Sequence, residues 1–346
     1  LVETGASNLF DALRLQSGVT TYSYGGSQSL GGMNAKILMR GANKGTVVMI
    51  DGVPANINET YYLDSIPVES IARVEIVKGA ASTLYGSEAS TGVINIITKK
   101  KMPNTLSLTK GEYGREKAAL TLNANKLNFA VALEQSDPMK GYSSNYKQIN
   151  DLNKKSFTAS YKFDDKLSFN YMFDKKKYTI DYLGADNSKL QHFDYDDREH
   201  FAQLHFNDQN GFDATAYYNE RIIRNPDYYI VRPDNLEWER SDHKNYGADL
   251  KKVWQNDYDK VLLGFNTKRE LYVDENQKFA SFGNSSSALK PYARFGSYSL
   301  NGYSFYGQYD RKLSEATDVV LSMREDLIRS DAGNYNAFLP QLQILT

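Results

Sequence analysis

MIDGVP at residues 49–54 and VEIVKGAASTLYGSEASTGVINIITKK at residues 74–100 decide how this chain is read. Val47-Val48-Met49-Ile50 is a compact apolar strand, and Asp51-Gly52 behind it is a turn dipeptide that favours positive φ at the glycine. Val74-Glu75-Ile76-Val77 and Val93-Ile94-Asn95-Ile96-Ile97 read as two further short strands. Upstream, Asn8 to Leu13 has the spacing of a short amphipathic helix that ends near Gly18. This zone is a small α+β domain, and KKKMPN, a basic run followed by a proline, closes it near residue 102.

Past that boundary the statistics change. Leu167, Phe169, Tyr171 and Phe173 alternate with Ser168, Asn170 and Met172, and the same dyad recurs in Leu127 to Leu133, Phe157 to Phe163 and Phe212 to Tyr218. One face of each strand is apolar and the other mostly polar. Tight turns such as Phe163-Asp164-Asp165-Lys166 and Asn207-Asp208-Gln209-Asn210 take turns with long polar stretches at 136–154, 178–197, 223–243 and 271–301. Short turns on one side and long loops on the other mark a membrane β-barrel, with Tyr161, Phe163, Tyr171 and Phe173 placed to form aromatic girdles. A soluble sandwich alternates too, but its loops need not segregate by length. From Thr105 to Ile344 the pattern gives about twelve strands.

Composition agrees. The 346 residues include 26 Tyr and 16 Phe beside only 2 Trp, and 41 Lys+Arg against 42 Asp+Glu leave no basic footprint for nucleic acid. Mean hydropathy is −0.57, and no apolar run is long enough for a membrane helix, as expected if strands offer only alternate residues to lipid. The chain has no Cys, which excludes disulfides and thiolate metal sites. It starts at Leu1 with no signal peptide visible. His192, His200, His205 and His243 form no HExxH spacing, and neither a nucleophile elbow nor a P-loop occurs, so an enzyme is not expected.

Ile37-Leu38-Met39-Arg40-Gly41, Met49-Ile50-Asp51-Gly52-Val53-Pro54, Ile66-Pro67, Val74-Glu75-Ile76-Val77-Lys78-Gly79, Tyr85-Gly86 and Gly92-Val93-Ile94-Asn95-Ile96-Ile97-Thr98 come in an order and spacing that resembles the plug of a TonB-dependent outer-membrane receptor. The resemblance spans residues 37–98 and implies an α+β plug domain, 1–101, inside a transmembrane antiparallel β-barrel that begins at 102 and continues to 346. Barrels of that family have 22 strands, so the wall here is incomplete; a longer chain or a second polypeptide would close it, because an open sheet edge in lipid leaves backbone groups unpaired. The implied activity is import of a scarce ligand across the outer membrane of a diderm bacterium, energised through a TonB-type coupling protein. The ligand would be a ferric siderophore, with cobalamin and haem as alternatives, and no cofactor is required. A TonB box is expected upstream of the plug, and nothing before Leu9 resembles one. A non-transporting surface binding or adhesion protein, and a soluble carbohydrate-binding protein, are the readings from other classes.

The resemblance implies that Arg40, of the Arg-Gly motif, pairs with barrel carboxylates as a plug–barrel latch, with Glu75 and Lys78 at matching positions. Lys78 stands where the family more often has Arg, and a lysine cannot make the bidentate contact. Loop position makes Tyr22, Tyr24, Gln28, Asn56, Asn58, Tyr61 and Tyr62 ligand contacts or ordinary solvated residues. In the barrel, Arg221, Arg224, Arg232 and Arg240 cluster with Tyr228, Tyr229 and Trp238, a combination able to hold an anionic, ring-containing chelate, though Asp227, Asp234, Glu237 and Glu239 are interleaved. Asp181, Asp186, Asp194 and Asp196 form an acidic stretch that resembles the calcium loop of cobalamin receptors, carboxylate oxygens being what Ca²⁺ selects.

Overall fold

The computed structural model describes residues 9, 13, 16–22, 36–39, 41–42, 45–56, 66–78, 82–86, 88–111, 114–137, 147–183, 189–230, 237–279 and 291–345. In the first zone β1 (Val19–Tyr22) pairs antiparallel with β2 (Lys36–Met39). A separate sheet has the order β4-β3-β6-β5, from β3 (Thr46–Ile50), β4 (Val53–Pro54), β5 (Ile71–Lys78) and β6 (Gly92–Thr98). Its central pair, β3 and β6, is parallel, which explains why both read as unbroken apolar runs: each is covered on two faces. Leu9 and Leu13 are helical and fully buried beside this sheet.

The second zone is a twelve-stranded antiparallel sheet in strict sequence order. It comprises β7 (Thr105–Lys110), β8 (Glu116–Ala124), β9 (Leu127–Ser136), β10 (Lys147–Lys162), β11 (Leu167–Leu183), β12 (Lys189–Asn207), β13 (Phe212–Ile230), β14 (Glu237–Gln255), β15 (Asp259–Phe279), β16 (Pro291–Lys312), β17 (Asp318–Ser330) and β18 (Gly333–Leu345). The number matches the count from alternation. The four long polar stretches are a different matter, because the strands run well into them: β11 reaches Leu183 and β12 already starts at Lys189. Pairing persists there because backbone hydrogen bonds need no apolar side chains, so a polar segment can lengthen a strand above the apolar zone.

The tight turns are closed by local chemistry. Asp164 Oδ1 accepts the N–H groups of Lys166 and Leu167 at 2.8 and 2.7 Å, and these bonds hold its carboxyl below the usual carboxylate range. Asn125 takes φ 56° in the two-residue turn between β8 and β9.

Burial settles which face is which. On β9, Asn128, Ala130, Ala132 and Glu134 are buried, whereas Leu127 and Leu133 are exposed. On β17 the buried set is Val320, Ser322, Arg324, Asp326 and Ile328, and Leu321 and Met323 are exposed. The apolar face of the wall therefore points outward and the polar face inward, the reverse of a soluble sandwich. Tyr161 and Phe163, ring centroids 4.9 Å apart, lie at the short-turn rim, and Phe173 packs against His200 at 4.9 Å higher up. Among the described residues no helix is long and apolar enough to cross a membrane.

The plug rests on the inner face. Inward-facing Met172, Phe201 and Tyr217 of β11, β12 and β13 join Leu9, Ile37, Ile50 and Ile94 in one core cluster. The edges of the wall are β7, exposed at every residue, and β18.

Candidate functional site: the plug apex and the inner wall

The motif MIDGVP forms the end of the plug sheet that meets the wall. Asp51 and Gly52 take φ 49° and 82°, a tight hairpin turn from β3 into β4. Asp51 is more than a turn residue: its carboxylate accepts the Thr98 N–H at 2.9 Å and the Thr98 hydroxyl at 2.6 Å, while Asn95 Oδ1 accepts the Gly52 N–H at 3.0 Å. The two sequence motifs thus interlock through charge-assisted bonds that cross from β3 to β6.

Three carboxamides on successive wall strands hold the backbone that follows. Gln203 of β12 donates to Asp51 O at 3.2 Å, Asn219 of β13 to Ala55 O at 3.1 Å, and Asn245 of β14 to Asn56 O at 3.1 Å. A second set of contacts is ionic. Lys268 Nζ of β15 lies 2.8 Å from both Glu88 of the plug and Glu270 of its own strand, and its ammonium holds the Glu88 carboxyl below the usual range. Arg324 of β17 pairs with Asp326 at 2.6 Å, donates to Leu84 O at 3.3 Å, and stands over the Tyr306 ring at 5.5 Å. Thr83, in the one-turn helix Ser82–Tyr85, donates to Gln341 of β18 at 2.6 Å. Lys117 of β8 reaches Glu69 of the plug at 2.6 Å. Between these contacts a cavity of ≈ 80 Å³ is lined by Met49, Pro54, Tyr85, Asp249, Lys268 and Arg324.

Beside the apex the inner wall carries a buried polar row. Arg221 is 1% exposed and its Nη2 pairs with Glu199 at 3.2 Å. His243, opposite Arg221 in register, stacks on Tyr272 at 4.0 Å. Both His243 ring nitrogens, Asn219 Oδ1, Asn245 Oδ1 and the Tyr217 hydroxyl are buried with no hydrogen-bond partner among the described residues. Groups of this kind cost about 1–3 kcal/mol each while unpaired, so their concentration at one place favours a polar guest.

The sequence-predicted residues are distributed differently from expectation. Asn56 is buried and its side chain is used internally, accepting the Val48 N–H at 2.6 Å and donating to Thr46 O at 3.1 Å, so that it extends the edge of β3 instead of facing a ligand. Tyr22 lies on β1, opposite Lys36, not in a loop. Tyr228 and Tyr229 extend β13 opposite Phe193 and His192. Strand alternation splits the arginine cluster: Arg221 points inward, whereas Arg224, Arg240 and Trp238 fall on outward positions, away from the plug. Of the latch, Glu75 pairs within the plug with Arg73 at 2.6 Å and Asn95 at 3.3 Å, and both it and Lys78 are exposed on β5, neither of them paired with a wall residue among the described residues. Asp181 pairs with His192 at 2.7 Å, Asp194 accepts from Thr179 at 2.5 Å, and Asp196 is taken by Lys175, Lys177 and Arg198. Among the described residues no group of three acidic or histidine side chains is placed to hold a metal ion. Tyr24, Gln28, Arg40, Asn58, Tyr61, Tyr62, Asp186 and Arg232 lie outside the described residues. Lys268, Arg324 and the three carboxamides were missed, although polar residues at inward positions of otherwise apolar dyads were visible as a signal.

Comparison with known proteins adds the kinship. Residues 1–93 match the family described as TonB-dependent Receptor Plug Domain. Over 164 residues the chain is 32% identical to the vitamin B12 transporter BtuB of Vibrio vulnificus (strain CMCP6), a match that takes in 43% of this chain and 26% of that protein. The fold superimposes on the unliganded ferric citrate transporter FecA with a TM-score of 0.70 at 16% identity, covering 98% of this chain and 58% of the other. The pyoverdine outer membrane receptor FpvA from Pseudomonas aeruginosa PAO1 gives 0.67 at 13% identity, covering 98% and 57%. The chain thus spans little more than half the length of these solved structures, and their likeness shows the fold. Residues 1–93 thus match the TonB-dependent receptor plug domain, and the plug sheet with its twelve-stranded, inward-polar and outward-apolar wall has the fold of these receptors.

Proposed function

We propose that residues 1–101 and 102–346 are the plug and the first part of the barrel of an energy-coupled importer in the outer membrane of a diderm bacterium, and that the imported ligand is a ferric siderophore. The observation that carries this reading is the buried polar row of Arg221, His243, Asn219 and Asn245, set against the plug backbone at residues 55–56. A guanidinium there suits an anionic chelate, because its planar donors match carboxylate and catecholate oxygens. The plug blocks the lumen through many contacts, so passage requires work from outside the barrel, which is the role of a TonB-type coupling protein in the periplasm. A second reading, cobalamin, is favoured by the 32% identity to a vitamin B12 transporter. The full-length receptor should bind one of ferric siderophores, cobalamin or haem in a titration with purified protein. Uptake of that ligand should disappear in cells lacking the coupling protein; uptake that persists there would overturn the energised mechanism.

A further inference from the structure

The outer face of the wall carries a feature that import does not use. Lys155 of β10 is directly opposite Lys175 of β11, which is directly opposite Arg198 of β12, so three cations stand abreast in register. All three alternate with buried inward neighbours such as Lys154, Ser156, Asp174 and Lys176, which fixes them on the outside. Like charges directly opposite one another destabilise a sheet, so such a row is kept only where something answers it.

One row further from the short turns, Lys177 faces Asp196 and Asp196 faces Arg224. Asp196 is the carboxylate of this patch: Lys175, Lys177 and Arg198 approach it at 3.7, 3.4 and 3.4 Å. One carboxylate therefore serves three cations, while Lys155 is exposed and Arg224 Nε has no partner among the described residues. Arg240, opposite Arg224, is already neutralised by Asp242 at 2.5 Å. Asp194, one row further up on the same face, is engaged by Thr179 and His192, so five cations around Asp196 leave a local excess of positive charge.

Height on the wall identifies the occupant. The row immediately below, nearer the short turns, is Phe157, Phe173 and His200, and below that the outward positions are apolar, with Phe169 and Leu204 exposed. Aromatic side chains collect at the level of lipid headgroups, and long basic side chains just beyond them reach up to the phosphates. We infer that Lys155, Lys175, Lys177, Arg198 and Arg224 form a docking site on the outer wall for a lipid of the surrounding leaflet that bears at least two phosphate groups. Two rows of cations about 7 Å apart, the rise of two strand residues, can each take one phosphate through charge-assisted bonds. The site faces away from the lumen, so the imported ligand cannot fill it.

The inference rests on the wall standing in a bilayer, and the test separates the two. The full-length receptor would be reconstituted in phosphatidylcholine nanodiscs with a small fraction of bisphosphorylated lipid A, and retained lipid read by native mass spectrometry. The triple variant Lys155→Gln/Lys175→Gln/Arg198→Gln should retain about a hundredfold less of it, with unchanged heat-modifiable migration and unchanged ligand binding. Lipid with one phosphate should be held more weakly, and inorganic phosphate should not displace the lipid. Equal retention by the triple variant, or displacement by inorganic phosphate, would overturn the site. Failure to enter the nanodisc would instead sink the membrane reading on which it rests.

Discussion

Lys268 of β15 places its ammonium 2.8 Å from the carboxylate of Glu88, a residue 180 positions away in the chain, and so ties the plug to the wall. The same ammonium is shared with Glu270, and Arg324 stands close by beside Asp326. Together with the Lys117–Glu69 pair at 2.6 Å, this cluster joins plug and wall by charge among the described residues, a role that Glu75 and Lys78 do not take there.

Removing the cation should loosen that joint. Lys268→Met leaves Glu88 and Glu270 facing each other without their counterion, and the plug should lose about 1–3 kcal/mol, less than a wholly buried pair because Glu88 keeps 46% exposure. The expected readout in full-length receptor is a lower melting temperature together with raised passive conductance in planar bilayers. Adding Glu88→Gln should recover part of the loss; strictly additive effects would show that the two do not interact.

The pair also predicts a pH dependence. Lys268 holds the folded-state pKa of Glu88 below the ordinary glutamate value of 4.5, so the carboxylate contributes stability above pH 4.5, and that contribution is lost as pH falls through the lowered value. Plug-dependent conductance should rise on acidification in that window. The Glu88→Gln variant should flatten this rise, and an unchanged profile would remove Glu88 from the account.

Asn56 distinguishes a structural role from a ligand contact. Asn56→Asp keeps the acceptor for Val48 N–H but loses the donor to Thr46 O and puts a carboxylate in a buried site, which should cost about 1–3 kcal/mol. Thermal unfolding of the plug should shift while ligand affinity of the folded fraction stays the same. Weaker binding without a stability change would restore the loop reading.

Gly92 begins β6 with φ 152°, and a Cβ there would fall 2.2 Å from Met39 Sδ and 2.3 Å from Val77 O. The carbonyl belongs to a paired strand and cannot retreat. Gly92→Ala should cost more than about 3 kcal/mol and yield receptor with an unfolded plug, seen as protease sensitivity confined to residues 1–101. Wild-type protection would show that β5 and β6 can separate cheaply.

Arg221 and Arg224, three residues apart on β13, should behave oppositely. Arg221→Gln, at an inward position 1% exposed, should weaken ligand binding by about tenfold or more, whereas Arg224→Gln should leave it unchanged. Titration of both variants with the same ligand decides it, and equal losses would mean that alternation does not separate them.

Much of this was legible in the chain because it is local. The turn at Asp51-Gly52, the apolar runs of β3 and β6, and the dyads of β9, β11 and β13 depend on neighbours a few residues away, so residue type and spacing suffice. The number of wall strands followed from the same periodicity. What alternation alone left undecided was whether the apolar face was a core or a lipid-facing surface, and burial of Asn128, Glu134, Arg324 and Asp326 answered it.

The site was harder to read, because its parts meet across long separations. Arg221 and Arg224 look alike in the sequence, and only the side of the wall each occupies tells them apart. Asn56 looks like an exposed loop residue until its side chain is seen pairing with β3. Glu88 and Lys268 carry no local mark of their partnership, since which plug residue faces which wall strand depends on how the plug seats in the wall. The sequence by itself determined the elements, their order and the kinship; the tertiary structure decided inside from outside and which charges touch, because those depend on register and seating and not on any residue's neighbours in the chain.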